Sequence, residues 1–162
     1  MSHWRRATID GCISGTIAAL TSTIALTVCG WIERRRPAAP NNAPSQCIWG
    51  ESAGYETRAT LRHTVVGFAV HHAMSIFWAV LHERTFGGRA GESGPLRPIA
   101  EGLATAAAAS FVDFRLTPRR FQPGFDKHLS TSSLVLVYAA FGLGLATLAL
   151  AKRRGSRARP PR

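Results

Sequence analysis

The sequence predicts an all-α fold, an integral membrane four-helix bundle, and three observations indicate this class. Charged residues form only 18% of the 162-residue chain, below the roughly one quarter that is usual in soluble domains. The Lys and Arg residues lie mostly between or beyond long apolar stretches rather than within them. The length is that of about one domain, so a single architecture must account for most of the chain.

The two strongest predicted spans are residues 11–32 and 129–151, neither of which contains a charged residue. A hydrocarbon core of about 30 Å needs roughly 20 apolar residues of helix, and both stretches are long enough. Asp10 and Glu33 bound the first stretch, and Lys152 follows the second. The chain is therefore expected to cross a bilayer near each of its ends.

Two further spans complete the predicted bundle. Residues 63–82 contain no Asp, Glu, Lys or Arg but several histidines, so this span carries a polar stripe. Residues 98–115 form a weaker span, because Glu101 and Asp113 bracket its apolar part, yet its Ala-rich sequence favours a helix buried among neighbours. The alternative is a re-entrant helix in this region, which leaves three crossings and puts the termini on opposite sides.

Four crossings put both termini on one side of the membrane. Residues 152–162 contain the densest block of cations in the chain, and cations that flank a span stay preferentially in the cytoplasm. We therefore predict one transmembrane domain, residues 1–151, followed by a basic, disordered cytoplasmic tail at residues 152–162. Both termini are expected in the cytoplasm.

The net charge of +11 raises the question of nucleic-acid binding. No aromatic residue alternates with the arginines of the C-terminal tail to stack on bases, and Pro160 and Pro161 oppose a recognition helix. The lipid bilayer is therefore the expected partner of these cations, and nucleic acid is not.

Small residues at four-residue spacing indicate how the spans pack. Helices in lipid associate through the close approach of small side chains. The pattern predicts a compact bundle, and it leaves open a homodimer through the first span or contact with another membrane protein. The residues are Gly11, Gly15 and Ala19 in the first span, Gly102, Ala106 and Ser110 in the third, and Ala140 and Gly144 in the fourth.

The candidate site is a group of polar residues within the predicted spans. His71 and Ser75 fall on one face of the second span, and His72 points about 100° away from them. Asp113 of the third span is the expected partner of this face. The polar face of the second span is also the nearest candidate to bond the hydroxyl of Tyr138. The same face of the second span carries Thr64, Gly67, Trp78 and His82.

Two functions compete for this polar group. The first is structural: the stripe is an internal seam of hydrogen bonds between helices of a structural or interaction protein. The alternative is a small membrane binding module for a metal ion, a proton or a quinone-like ligand, using His71, His72 and Asp113. Catalysis is not expected, since Ser75 beside His71 is one turn of helix and not a triad. The sequence predicts no cofactor and leaves any metal unknown.

Four segments resemble small bacterial inner-membrane proteins of a YagU-like kind. They are N-A-P-S-x-x-I-W-G at residues 42–50, G-x-x-x-H-H-A-x-S-x-F-W-A at 67–79, V-D-F-x-L-T-P-x-R-F-x-P-G-F-D at 112–126, and V-Y-A-A-F-G-L-G-L-A at 137–146. Together they cover most of the chain outside the tails. The resemblance implies a multi-span protein of a bacterial inner membrane, and it transfers no activity and no catalytic residue.

Overall fold

The computed structural model describes residues 2–87 and 94–157, and within these ranges all regular secondary structure is helical. The predicted fold class, an all-α helical bundle, is confirmed. The α-helices are α1 (His3–Arg34), α2 (Ala39–Asn42), α3 (Gln46–Trp49), α4 (Val66–Phe86), α5 (Leu96–Phe111) and α6 (Thr131–Arg157). One π-helical segment, Leu61–Val65, precedes α4, and another, Val112–Leu116, follows α5.

Three helices of the described ranges are long and apolar enough to cross a membrane. They are α1, the stretch Leu61–Phe86 that includes α4, and Thr131–Gly155 of α6. Their outer surfaces expose large apolar side chains such as Ile24 and Phe77, which suits contact with lipid. The predicted third span, residues 98–115, is also helical as α5 and its π-helical extension, but it does not belong to these three.

The helix α1 is the centre of the packing, because it lies against both α4 and α6. Glycines allow both contacts. A side chain at Gly11 would meet the backbone of Val80 in α4, and one at Gly144 of α6 would meet the backbone of Ala18 in α1. The small residues predicted at these positions therefore do lie where helices approach closely.

The helix α5 packs on the side of α6, and it touches α4 much less. At the crossing of α5 and α6, a side chain on Gly102 would collide with the carbonyl oxygen of Gly142. Between α4 and α5, His82 Nδ1 and Thr105 Oγ1 form a hydrogen bond of 2.9 Å. The sparse contact between α4 and α5 leaves room between them.

The two ends of the bundle are joined by different polar contacts. At one end, which we call the terminal end, Lys152 of α6 forms an ion pair of 2.7 Å with Asp10 of α1. At the other, which we call the loop end, the carboxylate of Glu33 in α1 accepts hydrogen bonds from Ser130 and Ser133 at the start of α6. The helices α1 and α6 are therefore antiparallel.

The first part of the tail predicted at residues 152–162 is helical in the structure. The structure continues α6 to Arg157, and residues 158–162 lie outside the described ranges. Lys and Arg are good helix formers, and no proline lies between Thr131 and Pro160. The ion pair with Asp10 also holds Lys152 against the bundle. Similarly, α1 begins at His3, well before residue 11, since the Ser2 hydroxyl caps it.

The segments at the loop end are fastened by two fully buried amides. The Asn42 side chain donates hydrogen bonds to the backbone carbonyls of Glu56 and Arg58, at 3.0 and 2.8 Å. The Gln46 side chain donates to the carbonyl of Gln122 at 2.6 Å. Because buried amides are stable only when bonded, these contacts hold the two loop regions in one arrangement.

Candidate functional site

A cavity of about 390 Å³ lies near the loop end, between α4 and α5. All four long helices contribute to its wall, together with residues of the two loop regions. Most of the wall is apolar, from residues such as Val70, Met74 and Phe141. Met74 is 47% exposed, so it lies at the open edge of the cavity. The separation of α4 from α5 is therefore what creates this space.

Four of the five predicted site residues line this cavity: His71, Ser75, Asp113 and Tyr138. His71 and Ser75 come from α4, Tyr138 comes from α6, and Asp113 belongs to the π-helical segment that follows α5. The sequence therefore identified side chains that the fold brings to one place.

His72 does not belong to this group. Its Nε2 forms a hydrogen bond of 3.0 Å with Thr16 Oγ1 of α1, and its ring stacks on Phe68 at 5.6 Å between centroids. It was predicted to point away from the face of His71, and it does. His72 therefore does not lie with His71 and Asp113 at the cavity.

Asp113 and Tyr138 form the closest polar pair in the cavity. The Tyr138 hydroxyl donates a hydrogen bond of 2.6 Å to Asp113 Oδ2. This differs from the sequence expectation, in which both residues would bond to the polar face of α4. The reason is the packing: the Gly102 crossing brings α5 against α6, whereas the cavity keeps α5 away from α4.

His71 is bonded to α1 and not to Asp113. Its ring nitrogen Nε2 lies 2.9 Å from Ser22 Oγ, and its ring meets Phe125 edge to face at 5.7 Å. Ser22 was not predicted as a site residue. Its only signal in the sequence is its place on the face of α1 that also carries Ala18 and Leu26, both fully buried.

Asp113 and Trp78 each have a polar atom at the cavity without a partner in the described structure. No donor within the described ranges bonds to Asp113 Oδ1, the second carboxyl oxygen. The indole nitrogen of Trp78, which also lines the cavity, is buried and has no acceptor among the described residues. Buried polar atoms are normally bonded, so the unpaired indole nitrogen needs an explanation.

The cavity has little charge of its own. Asp113 is the only acidic residue in its lining, and neither Lys nor Arg contributes to the described wall. Cys47 of the loop region also lines it, and burial raises the pKa of this thiol, so the thiol stays protonated and is a poor nucleophile. In the described part of the chain, no three His, Cys, Asp or Glu residues come together as metal ligands.

Comparison of the chain with protein-family models, curated proteins and solved structures gives no match. The geometry of the cavity is therefore the basis for assigning a function.

Proposed function

We propose that this protein is a small membrane binding module whose ligand is a lipophilic molecule with a polar end. The observation that carries the proposal is one cavity that combines an apolar wall with a free carboxyl oxygen and a buried indole N–H. Small-molecule sites are typically apolar with a few convergent polar groups. An ionisable residue that faces a cavity within a membrane bundle is a functional candidate by default.

The lining defines the chemistry of the ligand. Asp113 Oδ1 accepts a hydrogen bond, and Trp78 Nε1 donates one. A ligand with a hydroxyl group next to an acceptor, as in a quinol, satisfies both atoms. An anionic head group finds no Lys or Arg in the described wall. The volume lies near the lower limit of ligand pockets, which run from about 300 Å³ upward, and suits a single ring or one acyl chain.

A metal site and a catalytic site have less support. A metal ion needs three or four convergent ligands, and His71, His72 and Asp113 do not converge. Nor does a hydrogen bond join Ser75 to His71 in the described structure, so a nucleophile activated by a base has no support either.

A structural role for the histidines is the second candidate, and specific bonds favour it. His71 and His72 bond to Ser22 and Thr16 of α1, and His82 bonds to Thr105 of α5. Each such bond between membrane helices contributes about 0.6 kcal/mol on average. The histidines then form a seam that holds α4 in place, while Asp113, Tyr138 and Trp78 supply the polar groups of the cavity.

We also propose a bacterial inner membrane as the location, with both termini in the cytoplasm. Three helices long and apolar enough to span support a membrane location. The YagU-like resemblance supports the bacterial inner membrane, and the basic residues at the end of α6 support the cytoplasmic side.

The test uses two variants at exposed positions of α4. Met74→Trp narrows the open edge of the cavity, and Phe77→Trp places the same side chain at a similarly exposed position that does not line it. The purified proteins are extracted with organic solvent, and the extracts are analysed by mass spectrometry. Decylubiquinol is then titrated into each protein in detergent.

We expect a lipophile in about equimolar amount in the extracts of the wild type and of Phe77→Trp. The extract of Met74→Trp should lack it. Decylubiquinol should follow the same order of affinity. Asp113→Asn keeps an acceptor for Tyr138 but changes the group offered to the ligand, and it should weaken binding roughly tenfold. Equal binding by the Met74 and Phe77 variants would reject the cavity as the site and leave the structural role.

A further inference from the structure

A second, smaller pocket lies at the loop end, and it shares no residue with the cavity. Its volume is about 170 Å³. The lining consists of two arginines, a lysine, a histidine and two residues with hydroxyl groups, and no described acidic side chain belongs to it. These residues are Arg34, Arg36, Lys127, His128, Tyr55 and Thr57. We call them the basic pocket.

Hydrogen bonds from the loops hold part of the basic pocket in place. Lys127 Nζ donates to Gln46 Oε1 and lies 4.3 Å from the centre of the Tyr55 ring. His128 is buried, and its Nε2 donates to the carbonyl oxygen of Gly54 at 2.8 Å. The arrangement is therefore preorganised, since binding an anion does not have to order these two side chains.

The arginines of the basic pocket form no ion pair within the described protein. Arg34 and Arg36 are exposed, and neither lies within ion-pair distance of a described carboxylate. The neighbouring carboxylates accept hydrogen bonds from other groups: Glu33 from Ser130 and Ser133, and Glu56 from the backbone N–H groups of the next two residues. A group of cations that form no ion pairs attracts an anion.

The state of His128 agrees with this electrostatic picture. Burial lowers the pKa of its imidazole, the bond to Gly54 opposes that effect, and the positive charges of Lys127, Arg34 and Arg36 lower the pKa further. The pKa of the imidazole thus reflects the same positive potential that would attract an anion.

We propose that the basic pocket is a binding site for a phosphate group. Arginine matches the geometry of phosphate oxygens through paired N–H donors, and hydroxyl groups donate to the same oxygens. The volume suits one phosphate group with a few attached atoms. Tyr55 of the lining and Trp31, three residues before Arg34, are exposed near the ends of the apolar helices, and such aromatic side chains are typical of the level of lipid headgroups. A phospholipid headgroup and free phosphate share this chemistry.

The experiment measures binding by native mass spectrometry on the full-length protein in a neutral detergent and a phosphate-free buffer. The probes are dioctanoyl phosphatidic acid, dioctanoylglycerol, which lacks the phosphate, and inorganic phosphate. The test variant is Arg34→Gln combined with Arg36→Gln. Arg58→Gln is the matched control, because Arg58 is an exposed arginine of the same end that does not line the basic pocket.

Phosphatidic acid should bind to the wild type and to Arg58→Gln with equal affinity, and roughly 30-fold more weakly to the double variant. Replacing both arginines by lysine should restore part of the affinity, because lysine keeps the charge but not the paired donors, and this partial recovery excludes misfolding as the cause. Displacement of the lipid by inorganic phosphate at similar concentration identifies free phosphate as the ligand, and resistance to it identifies the headgroup. Undiminished binding by the double glutamine variant, or equal binding of dioctanoylglycerol, overturns the proposal.

Discussion

Among single residues, Tyr138 determines which oxygen of Asp113 a ligand can reach, because its hydroxyl occupies Oδ2 and leaves Oδ1. Tyr138→Phe removes the donor of the 2.6 Å bond and leaves the carboxyl group without a partner in a half-buried position. We expect the free energy of unfolding to fall by about 1 kcal/mol. Tyr55→Phe, which alters an exposed hydroxyl group, should have little effect. Unfolding in detergent compares the two, and equal losses would contradict the prediction.

His128 gives the loop end a dependence on pH. Burial and the neighbouring cations lower its pKa in the folded state, so the unfolded chain, with a pKa of about 6.5, takes up a proton first. The stability that depends on neutral His128 is therefore complete above pH 6.5 and decreases as the pH falls toward the folded pKa. His128→Gln keeps a donor for Gly54 but cannot titrate, and it should show a smaller decrease in melting temperature between pH 8 and pH 5.5 in phosphate-free buffer. An unchanged decrease would contradict this assignment.

The sequence predicts the members of the site better than their contacts. Intramembrane polarity alone identified His71, Ser75, Asp113 and Tyr138, because such residues are expensive in lipid and face the interior. Which atom bonds to which depends on the distances between helices. These distances are set by glycines on three helices at once, and the small-residue pattern marks positions of close approach without showing which helix meets which.

At the scale of the helices, the crossing of α5 and α6 is the most sensitive contact. Gly102 and Gly142 face each other there, and a side chain on either one meets the backbone of the other helix. Gly102→Val should reduce stability by about 2 kcal/mol, because backbone atoms cannot move aside as a side chain can. Gly155→Val makes the same change where nothing lies within 4 Å of the new atom. A melting experiment that finds equal effects would show that helix propensity, and not the crossing, is responsible.

The existence of the helices follows from composition, whereas their ends depend on tertiary contacts. Charge-free stretches and apolar length identify α1, α4 and α6. Hydropathy does not predict that α6 continues past Lys152. The ion-pair partner of Lys152 is Asp10, which lies at the other end of the sequence, so no local pattern shows this contact. The weakly apolar α5 is recognisable mainly as an Ala-rich helix, and its burial against α6 explains why it needs less apolar surface.

In the molecule as a whole, the small-residue face of the first span is covered by other helices and is not open to a second copy of the chain. Gly11 and Gly15 contact α4 within the same chain, and Ala19 is fully buried. A homodimer through this face, which the sequence leaves open, would have to displace α4. A dimer that keeps the bundle intact would therefore have to form through another surface.

The antiparallel packing of α1 and α6 makes a prediction about topology that does not depend on whether α5 is counted as a span. Asp10 with Lys152 marks one end, and Glu33 with Ser133 marks the other, so both termini share a side.

Single cysteines at exposed positions test this arrangement in intact bacterial cells with a membrane-impermeant maleimide. Glu51→Cys, at the loop end, should react from outside, and Arg154→Cys, at the terminal end, only after permeabilisation. The wild type measures labelling of the three native cysteines. The reverse pattern would keep the bundle but place the termini outside, and labelling of both positions from one side would contradict the antiparallel arrangement, because residues 51 and 154 lie at opposite ends of it.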